Sequence, residues 1–335
     1  MYVLKINLED DLGKENIISI DMGGTKILAA VINSKEGIKA KIKKQTYPNI
    51  NRKLYIKILT EIIFDLISKA KLKISDIKAV SLGIPGSLNP YTGVVGVAPN
   101  IGLRNFPLKE KLQEKISIPV LIENDVNLGA LGIQKFGVAK NAKNVLVIFI
   151  GTGIGGALII DGRIYRGSNY VAGEIGHILV KKNGPVCGCG NKGCFEAVAS
   201  RSAIVKEIEK DMKSKKKTIL NKLKSPKKPI KSGMLAQAIK ANDKLVIKHI
   251  SSACSTIGIV LANLTNLMNF DMIVLGGGLV EALDHFMVPR IKASFKEYVF
   301  SEASKGTRII ASKLGDDAAL FGGIALAEEF LNIKV

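Results

Sequence analysis

Three soft thiolates and one imidazole stand close together in this chain: His177, then Cys187, Cys189 and Cys194, with glycine beside every cysteine. The stretch reads Gly173-Glu-Ile-Gly-His177 and, ten residues on, Cys187-Gly-Cys189-Gly-Asn-Lys-Gly-Cys194-Phe-Glu196. Three cysteines and a histidine are the ligand set of a closed tetrahedral zinc site. Glycines let so short a loop fold back until its cysteines face one ion. Four protein ligands leave no open position for water, so the expected zinc is structural. Glu174, His177 and Glu196 are then the polar side chains at its edge. A disulfide framework is the competing reading of the same cysteines. Four cysteines in 335 residues, and an opening Met-Tyr-Val-Leu-Lys without the regions of a secretory leader, favour a reducing, cytoplasmic setting. Cys254 stands apart in an apolar helical pattern and reads as an inert core thiol.

Two other segments share one grammar, an apolar strand running straight into a glycine-rich turn. Ile17–Ile20 enters Asp21-Met-Gly23-Gly24-Thr25-Lys26, and a strand follows over Ile27–Ile32. Val145–Ile150 enters Gly151-Thr152-Gly153-Ile-Gly155-Gly156 and continues over Ala157–Ile160. Each predicts a β-hairpin whose turn exposes backbone N–H groups, which without a Cβ in the way approach phosphate oxygens closely. The repetition hints at two similar halves with one phosphate loop each. A third turn, Gly276-Gly277-Gly278, closes the apolar strand Phe270–Leu275 and suits a base or ribose. Gly151-x-Gly153-x-x-Gly156 formally matches the dinucleotide fingerprint as well. That site needs a helix opening at the turn, and Ala-Leu-Ile-Ile reads as a strand.

Glu123-Asn124-Asp125-Val-Asn127 follows the strand 119–122, at the carboxyl end where ligands bind in open α/β sheets. Asp125 is a candidate general base there, with Asn124 able to orient a substrate hydroxyl. A helix N-cap is the other task for an aspartate in that position. Asn100, Glu174 and Glu196 add groups that bind several hydroxyls. Phosphate turns, one carboxylate base and these polar groups fit phosphoryl transfer from ATP to a polyol, a reaction that depends on positioning and charge neutralisation. No serine or cysteine is paired with a base, so direct in-line transfer is the simpler mechanism.

An alternation of strands and helices must position these groups, which makes the class α/β. The spacing predicts a helix over 53–70, a strand over 77–82 entering Gly83-Ile-Pro85-Gly86, and helical structure over 200–210 and 245–269. A C-terminal helix over 317–331 carries small residues that permit close packing. A length of 335 allows about two domains, and 47% apolar residues fill two cores. The longest apolar runs are of strand length, short of the roughly 18 residues of a membrane span. The net charge of +20 raises a nucleic-acid partner, but the excess is lysine spread along the chain. Its dense run, 206–231, lacks interleaved aromatics for base stacking and reads as a solvated helical insertion. Neither a nucleic acid nor a membrane is expected as a partner.

Asp21-x-Gly-Gly-Thr-Lys26, Glu123-Asn-Asp-x-Asn127, Gly151-Thr-Gly-Ile-Gly-Gly156, Gly173-Glu-Ile-Gly-His177 and Cys187-x-Cys-Gly-x-x-Gly-Cys194-x-Glu196 resemble, in this order, the motifs of the ROK family. That family comprises bacterial-type sugar kinases and related repressors. The resemblance runs from about Ile17 to the C-terminus, and Asn183-Gly-Pro185 and Glu196-Ala-Val-Ala-Ser200 look most like its glucokinases. It implies an actin-like ATPase (ribonuclease H-like) fold of two α/β domains around a cleft. Residues 1–127 with 315–335 would form the smaller domain, and 128–314 the larger, with the zinc loop and the insertion at 206–231.

The same resemblance implies that Asp125 takes the proton from the 6-hydroxyl of a hexose as that oxygen attacks the γ-phosphate of ATP. Asp21, Gly23, Gly24, Thr25 and Lys26, with Gly151, Thr152, Gly153, Gly155 and Gly156, would hold phosphates and Mg²⁺. Gly276, Gly277 and Gly278 would lie near the adenosine. Gly86, Asn100, Asn124, Asp125, Glu174, His177 and Glu196 would contact the sugar, His177 through the ring nitrogen that does not face the structural Zn²⁺. The implied reaction converts D-glucose to glucose 6-phosphate, with fructose, mannose, N-acetylglucosamine and N-acetylmannosamine as alternatives in the same class. A homodimer or homotetramer goes with the family.

A non-catalytic sugar sensor or transcriptional regulator is the alternative from another class. Repressors of the family carry a helix-turn-helix ahead of the first hairpin, and about 16 residues precede Ile17 here, fewer than such a domain needs. Asp125 and the first phosphate turn are both present, so catalysis is expected. Three features depart from the family pattern. Ala157 replaces a frequent third glycine, the stretch after Asn100 has Arg104 and no tryptophan, and the lysine-rich insertion is long.

Overall fold

Isoleucine-rich strands build two sheets of the same design, one in each of two units. The computed structural model describes residues 15–24, 26–46, 51–224 and 229–333. The first unit draws its described residues from Met1–Gly137, Arg166–Val171 and Asp316–Val335, and the second from Val138–Tyr165 and Ala172–Gly315.

In the first unit β1 (Asn16–Met22), β2 (Lys26–Asn33) and β3 (Gly37–Gln45) form an antiparallel meander, and β4 (Ile77–Ile84) lies parallel to β1. A small antiparallel sheet of β5 (Ser87–Asn89), β6 (Val94–Ala98) and β7 (Leu103–Phe106) follows. The chain then returns as β8 (Val120–Asn124), parallel to β4, giving the order β3-β2-β1-β4-β8. Inner strands covered on both faces must be apolar on both, and Ile17, Ile18, Ile20, Ala79, Val80 and Leu82 are all fully buried. The helix Arg52–Lys69 covers the face of Ile18, Ile20 and Met22 with Tyr55, Leu59, Ile62, Ile63 and Leu66, at helical spacing. The opposite face takes the C-terminal helix Ala318–Leu331: Ser19 and Ser81 donate to the carbonyls of Ala319 (3.3 Å) and Gly323 (2.9 Å). This helix meets Asp125–Phe136 almost backbone to backbone. A Cβ on Gly132 would lie 1.9 Å from the Ala318 carbonyl oxygen, and one on Gly322 1.8 Å from that of Leu128. Close packing by small residues is what the C-terminal pattern predicts.

The second unit repeats the plan. β9 (Val145–Ile150), β10 (Ile154–Ile160) and β11 (Arg163–Tyr165) form the meander, and β12 (Met272–Gly276) and β13 (Arg308–Ala311) add in parallel, in the order β11-β10-β9-β12-β13. The helix expected over 245–269 is present as Lys244–Met268, and by length and composition alone it is apolar enough to cross a bilayer. Its Leu245, Val246, Ile250, Ile257 and Leu261 are instead buried in the core of the unit. Cys254 lies there too, its thiol pushed up to about 12 by burial, as an inert core cysteine should be. The lysine-rich stretch is not wholly solvated. Its parts of the helices Arg201–Lys213 and Leu220–Leu223 insert Ile208 and Leu220 into the same core, with Ile230 beyond them. Residues 225–228 of that stretch lie outside the described residues.

Candidate active site

At the carboxyl edge of the first sheet, three parallel strands end side by side. Asp21 of β1 pairs with Gly83 of β4, and Gly83 and Ile84 pair with Glu123 and Asn124 of β8. Asn124 caps the helix Asp125–Phe136: its side-chain oxygen accepts from the N–H groups of Val126 (2.9 Å) and Asn127 (3.2 Å). Its Nδ2 donates to the carbonyl of Gly86 at 3.3 Å. Sequence alone leaves Asp125 between base and N-cap. In the structure the capping falls to Asn124, and Asp125 is the first helical residue.

The turn is locked from beneath by a buried ion network. Glu123 Oε1 accepts from the Asn124 N–H (2.9 Å) and Asn127 Nδ2 (3.0 Å), and its Oε2 accepts from Arg166 Nε (2.6 Å). The terminal nitrogens of Arg166 fork onto the carboxylate of Glu329 at 2.7 and 3.0 Å. Burial works against the charge on Arg166, but the Glu329 hydrogen bonds and the Glu123 charge outweigh it and push its pKa up.

Asp21 is partly buried; that burial, reinforced by the charge of Asp125 and partly offset by Lys26, raises its carboxyl to about 7. Lys26 is ion-paired with Asp316. The Gly23 N–H closes the hairpin turn on the Lys26 carbonyl at 2.9 Å. Asn100 sits in the 3-10 turn Pro99–Ile101, and a Cβ built on Gly24 would lie 3.4 Å from its own Cβ. The structure therefore gathers Asp21, Gly23, Gly24, Lys26, Gly86, Asn100, Asn124 and Asp125 on one edge of the first unit. Thr25 lies outside the described residues.

In the second unit the β9–β10 turn is tighter than its glycines suggest. The Gly151 N–H donates to the Gly153 carbonyl at 2.9 Å, and the ladder resumes at once, with Ile154 opposite Ile150. Gly155 and Gly156 thus lie within β10 rather than in the turn. A Cβ on Gly156 would come within 2.6 Å of Ile175, so this glycine makes room for the Gly173–His177 segment. Glu196 Oε2 accepts from the Ile154 N–H at 2.9 Å, and its Oε1 lies 3.9 Å from Cys187 Sγ. Glu196 therefore ties the turn to the cysteine loop. Thr152 is exposed and accepts from Arg201 Nη2 at 2.6 Å. Gly277, with φ +88°, lies so near the end of β9 that a Cβ would meet the Ile150 backbone at 2.7 Å. The helix Gly278–Tyr298 opens there, at the end of β12.

His177, Cys187, Cys189 and Cys194 converge, with their ligand atoms all within 4.8 Å of one another. Cys187 Sγ lies 3.7 Å from His177 Nδ1, and Cys189 Sγ lies 3.7 Å from Cys194 Sγ. Bonds of about 2.3 Å to sulfur give a zinc tetrahedron edges of roughly 3.8 Å, so the group fits the ion. The Cys189–Cys194 sulfur separation is far beyond a disulfide bond, and all four cysteines are free. Burial pushes the Cys194 thiol up to about 12, and a bound cation is what makes such a sulfur a thiolate. The other ring nitrogen of His177, Nε2, lies 3.9 Å from Glu174 Oε2. Gly193 is obligatory: its φ is +77°, and a Cβ would lie 1.8 Å from the Lys181 carbonyl oxygen.

Sequence reasoning missed Arg166, Arg201 and the structural share of Glu123. A signal was present. The chain has seven arginines among 49 basic residues, so an arginine marks a place where a planar fork does what lysine cannot.

Two sheets of one topology, each with a glycine turn at its edge, define an actin-like ATPase fold. The sequence profile of the ROK family matches residues 17–330, and the chain belongs to that family. It is 33% identical over 307 residues to a glucokinase of Halalkalibacterium halodurans, covering 91% of this chain and 93% of that one. It is also 30% identical over 272 residues to a xylose repressor of Caldicellulosiruptor bescii, covering 80% of this chain and 68% of the repressor. Among solved structures, a ROK family glucokinase from Streptomyces griseus in complex with glucose and AMPPNP superposes with a TM-score of 0.79. The two share 29% identity, over 94% of this chain and 99% of that one.

Proposed function

We propose that this chain, an ATP-dependent sugar kinase of the ROK family, phosphorylates D-glucose at its 6-hydroxyl. The observation that carries the reading is the position of Asp125. It is a carboxylate at the first helical position after β8, behind the Asn124 cap, with Oδ1 sharing the Val126 N–H at 3.0 Å, and it is held on a turn that Glu123 locks. Asp125 accepts the proton of the 6-hydroxyl while that oxygen forms its bond to the γ-phosphorus. The bond from phosphorus to the β-bridging oxygen breaks, and ADP carries away the electron pair. Asp21, Gly23, Gly24 and Lys26 in the first unit, and Gly151, Thr152 and Gly153 in the second, hold the phosphates. Gly277 and Gly278 offer backbone to the adenosine.

Mg²⁺, when bound, neutralises charge on the β- and γ-oxygens. Asp21 is the residue that fits it, because a cation replaces the proton that burial and Asp125 impose. His177, Cys187, Cys189 and Cys194 would hold a structural Zn²⁺ that would fix the loop beside Glu174, leaving the other ring nitrogen of His177 for the sugar. Gly86, Asn100, Asn124 and Glu196 complete the sugar contacts, although Asn124 and Glu196 each spend an oxygen on the fold.

The xylose repressor similarity is the specific reason to keep a second reading, a sugar sensor without turnover. Release of ADP from MgATP over glucose, mannose, fructose, N-acetylglucosamine and N-acetylmannosamine separates the two. The kinase reading expects strong turnover on glucose. Saturable sugar binding with no turnover on any of the five establishes the sensor instead.

A further inference from the structure

We propose that Arg201 is a contact for the phosphates of the donor nucleotide, a role that rests on the kinase reading of the Gly151–Gly153 turn. Arg201 opens the helix Arg201–Lys213, and its backbone N–H donates to the Gly151 carbonyl at 2.9 Å, which fixes its Cα beside the turn. The guanidinium reaches back to the turn, with Nη2 on Thr152 Oγ1 at 2.6 Å and Nη1 toward Ser232 Oγ at 3.5 Å. Both partners are neutral hydroxyls. Among the described residues no carboxylate forms an ion pair with Arg201, while Arg166 is held by two.

A guanidinium has five N–H donors in one planar fork, and two hydroxyls use two of them. The rest is a full positive charge with donors to spare, beside a turn whose outer side is open. Thr152 is exposed, and a Cβ on Gly151 would meet nothing within 4 Å. The cavity of about 280 Å³ on the other side of Thr152, toward Glu196 and Lys206, is not lined by Arg201, so the open side of the turn at Gly151 is the place where a phosphate meets the guanidinium. The planar fork matches two oxygens of one phosphate group. A residue that merely stapled Thr152 would need one neutral donor and no charge.

The test compares wild type with Arg201→Gln and Arg201→Lys. It uses steady-state kinetics in MgATP and in glucose, calorimetric binding of adenosine, ADP and ATP, and a melting curve. Arg201→Gln is expected to raise KM for MgATP and the dissociation constants of ADP and ATP by about 10- to 100-fold. Adenosine binding and KM for glucose stay within about twofold, because neither ligand carries a phosphate. Arg201→Lys recovers part of the loss by returning the charge without the fork. An active wild type with unchanged KM for MgATP in Arg201→Gln overturns the proposal alone. So does an equal loss of adenosine and ATP binding, which identifies a staple. A wild type that binds no MgATP overturns the kinase reading and this assignment with it.

Discussion

Replacing Arg166 by methionine removes a guanidinium from the network beneath the Asp125 turn while keeping most of the side-chain volume. The Glu123 side chain is 2% exposed and that of Arg166 8%, so the variant leaves a carboxylate buried with no cation. Removing one partner of a buried pair costs about 3–5 kcal/mol. The Glu329 arm adds little, about 1 kcal/mol or less, because that side chain is 39% exposed and rehydrates. The sign of the pH dependence follows from the stranded acid. Glu123 in the folded variant has a pKa above the roughly 4.3 of the unfolded chain, so the folded state binds the extra proton. The penalty is therefore small at acid pH, grows as pH rises, and is complete above the folded pKa. The gap to wild type is therefore wider at pH 8 than at pH 5.5. Urea unfolding at the two pH values measures this, and Glu123→Gln added to Arg166→Met should return most of the loss at pH 8. A loss below about 1 kcal/mol, or one indifferent to pH, would falsify the account of the network.

Other outcomes follow from the same geometry. Gly322→Ala places a methyl 1.8 Å from the Leu128 carbonyl oxygen and should cost at least about 1–3 kcal/mol, whereas Gly233→Ala, in a helix with nothing within 4 Å, should be neutral or stabilising by up to about 1 kcal/mol; thermal unfolding of both variants checks the contrast. Asp21, with its carboxyl near 7 in the folded state and about 4 when unfolded, binds its extra proton in the fold. Wild-type stability should therefore fall as pH rises from about 4 to about 7 and then level off, by at most about 4 kcal/mol, and Asp21→Asn should lack that slope. Metal analysis of the purified protein should find one equivalent of zinc, lost in Cys194→Ser together with protease resistance of the 177–196 loop; retention of full zinc by that variant would remove Cys194 from the ligand set.

Much of this architecture is legible because single residues carry it. The apolar strands that stop dead at glycine appear as hairpins, Val120–Asn124 delivers Asp125 to a sheet edge, and the His177–Cys194 spacing brings four ligands together. What was not legible depends on partners distant in sequence. Gly156 looks like a phosphate glycine until Ile175 is seen filling the space above it. Glu196 looks like a pure sugar ligand until the Ile154 N–H is found on one of its oxygens. Arg166 meets Glu123 and Glu329 across 43 and 163 residues, a distance at which no local pattern announces a pair. The insertion looked solvated because lysines outnumber its few buried isoleucines and leucines, and composition averages over the face that turns inward.

The central claim is that Asp125 is the base of a glucose phosphorylation. Its most direct test is turnover of MgATP and glucose by Asp125→Asn, with glucose binding measured on the same sample. An amide keeps the size and the helix position but cannot accept the proton. The account predicts kcat lower by about 10²- to 10⁴-fold, with glucose affinity and melting temperature close to wild type. Near-normal turnover with a folded variant would contradict it, and would move the base to another carboxylate.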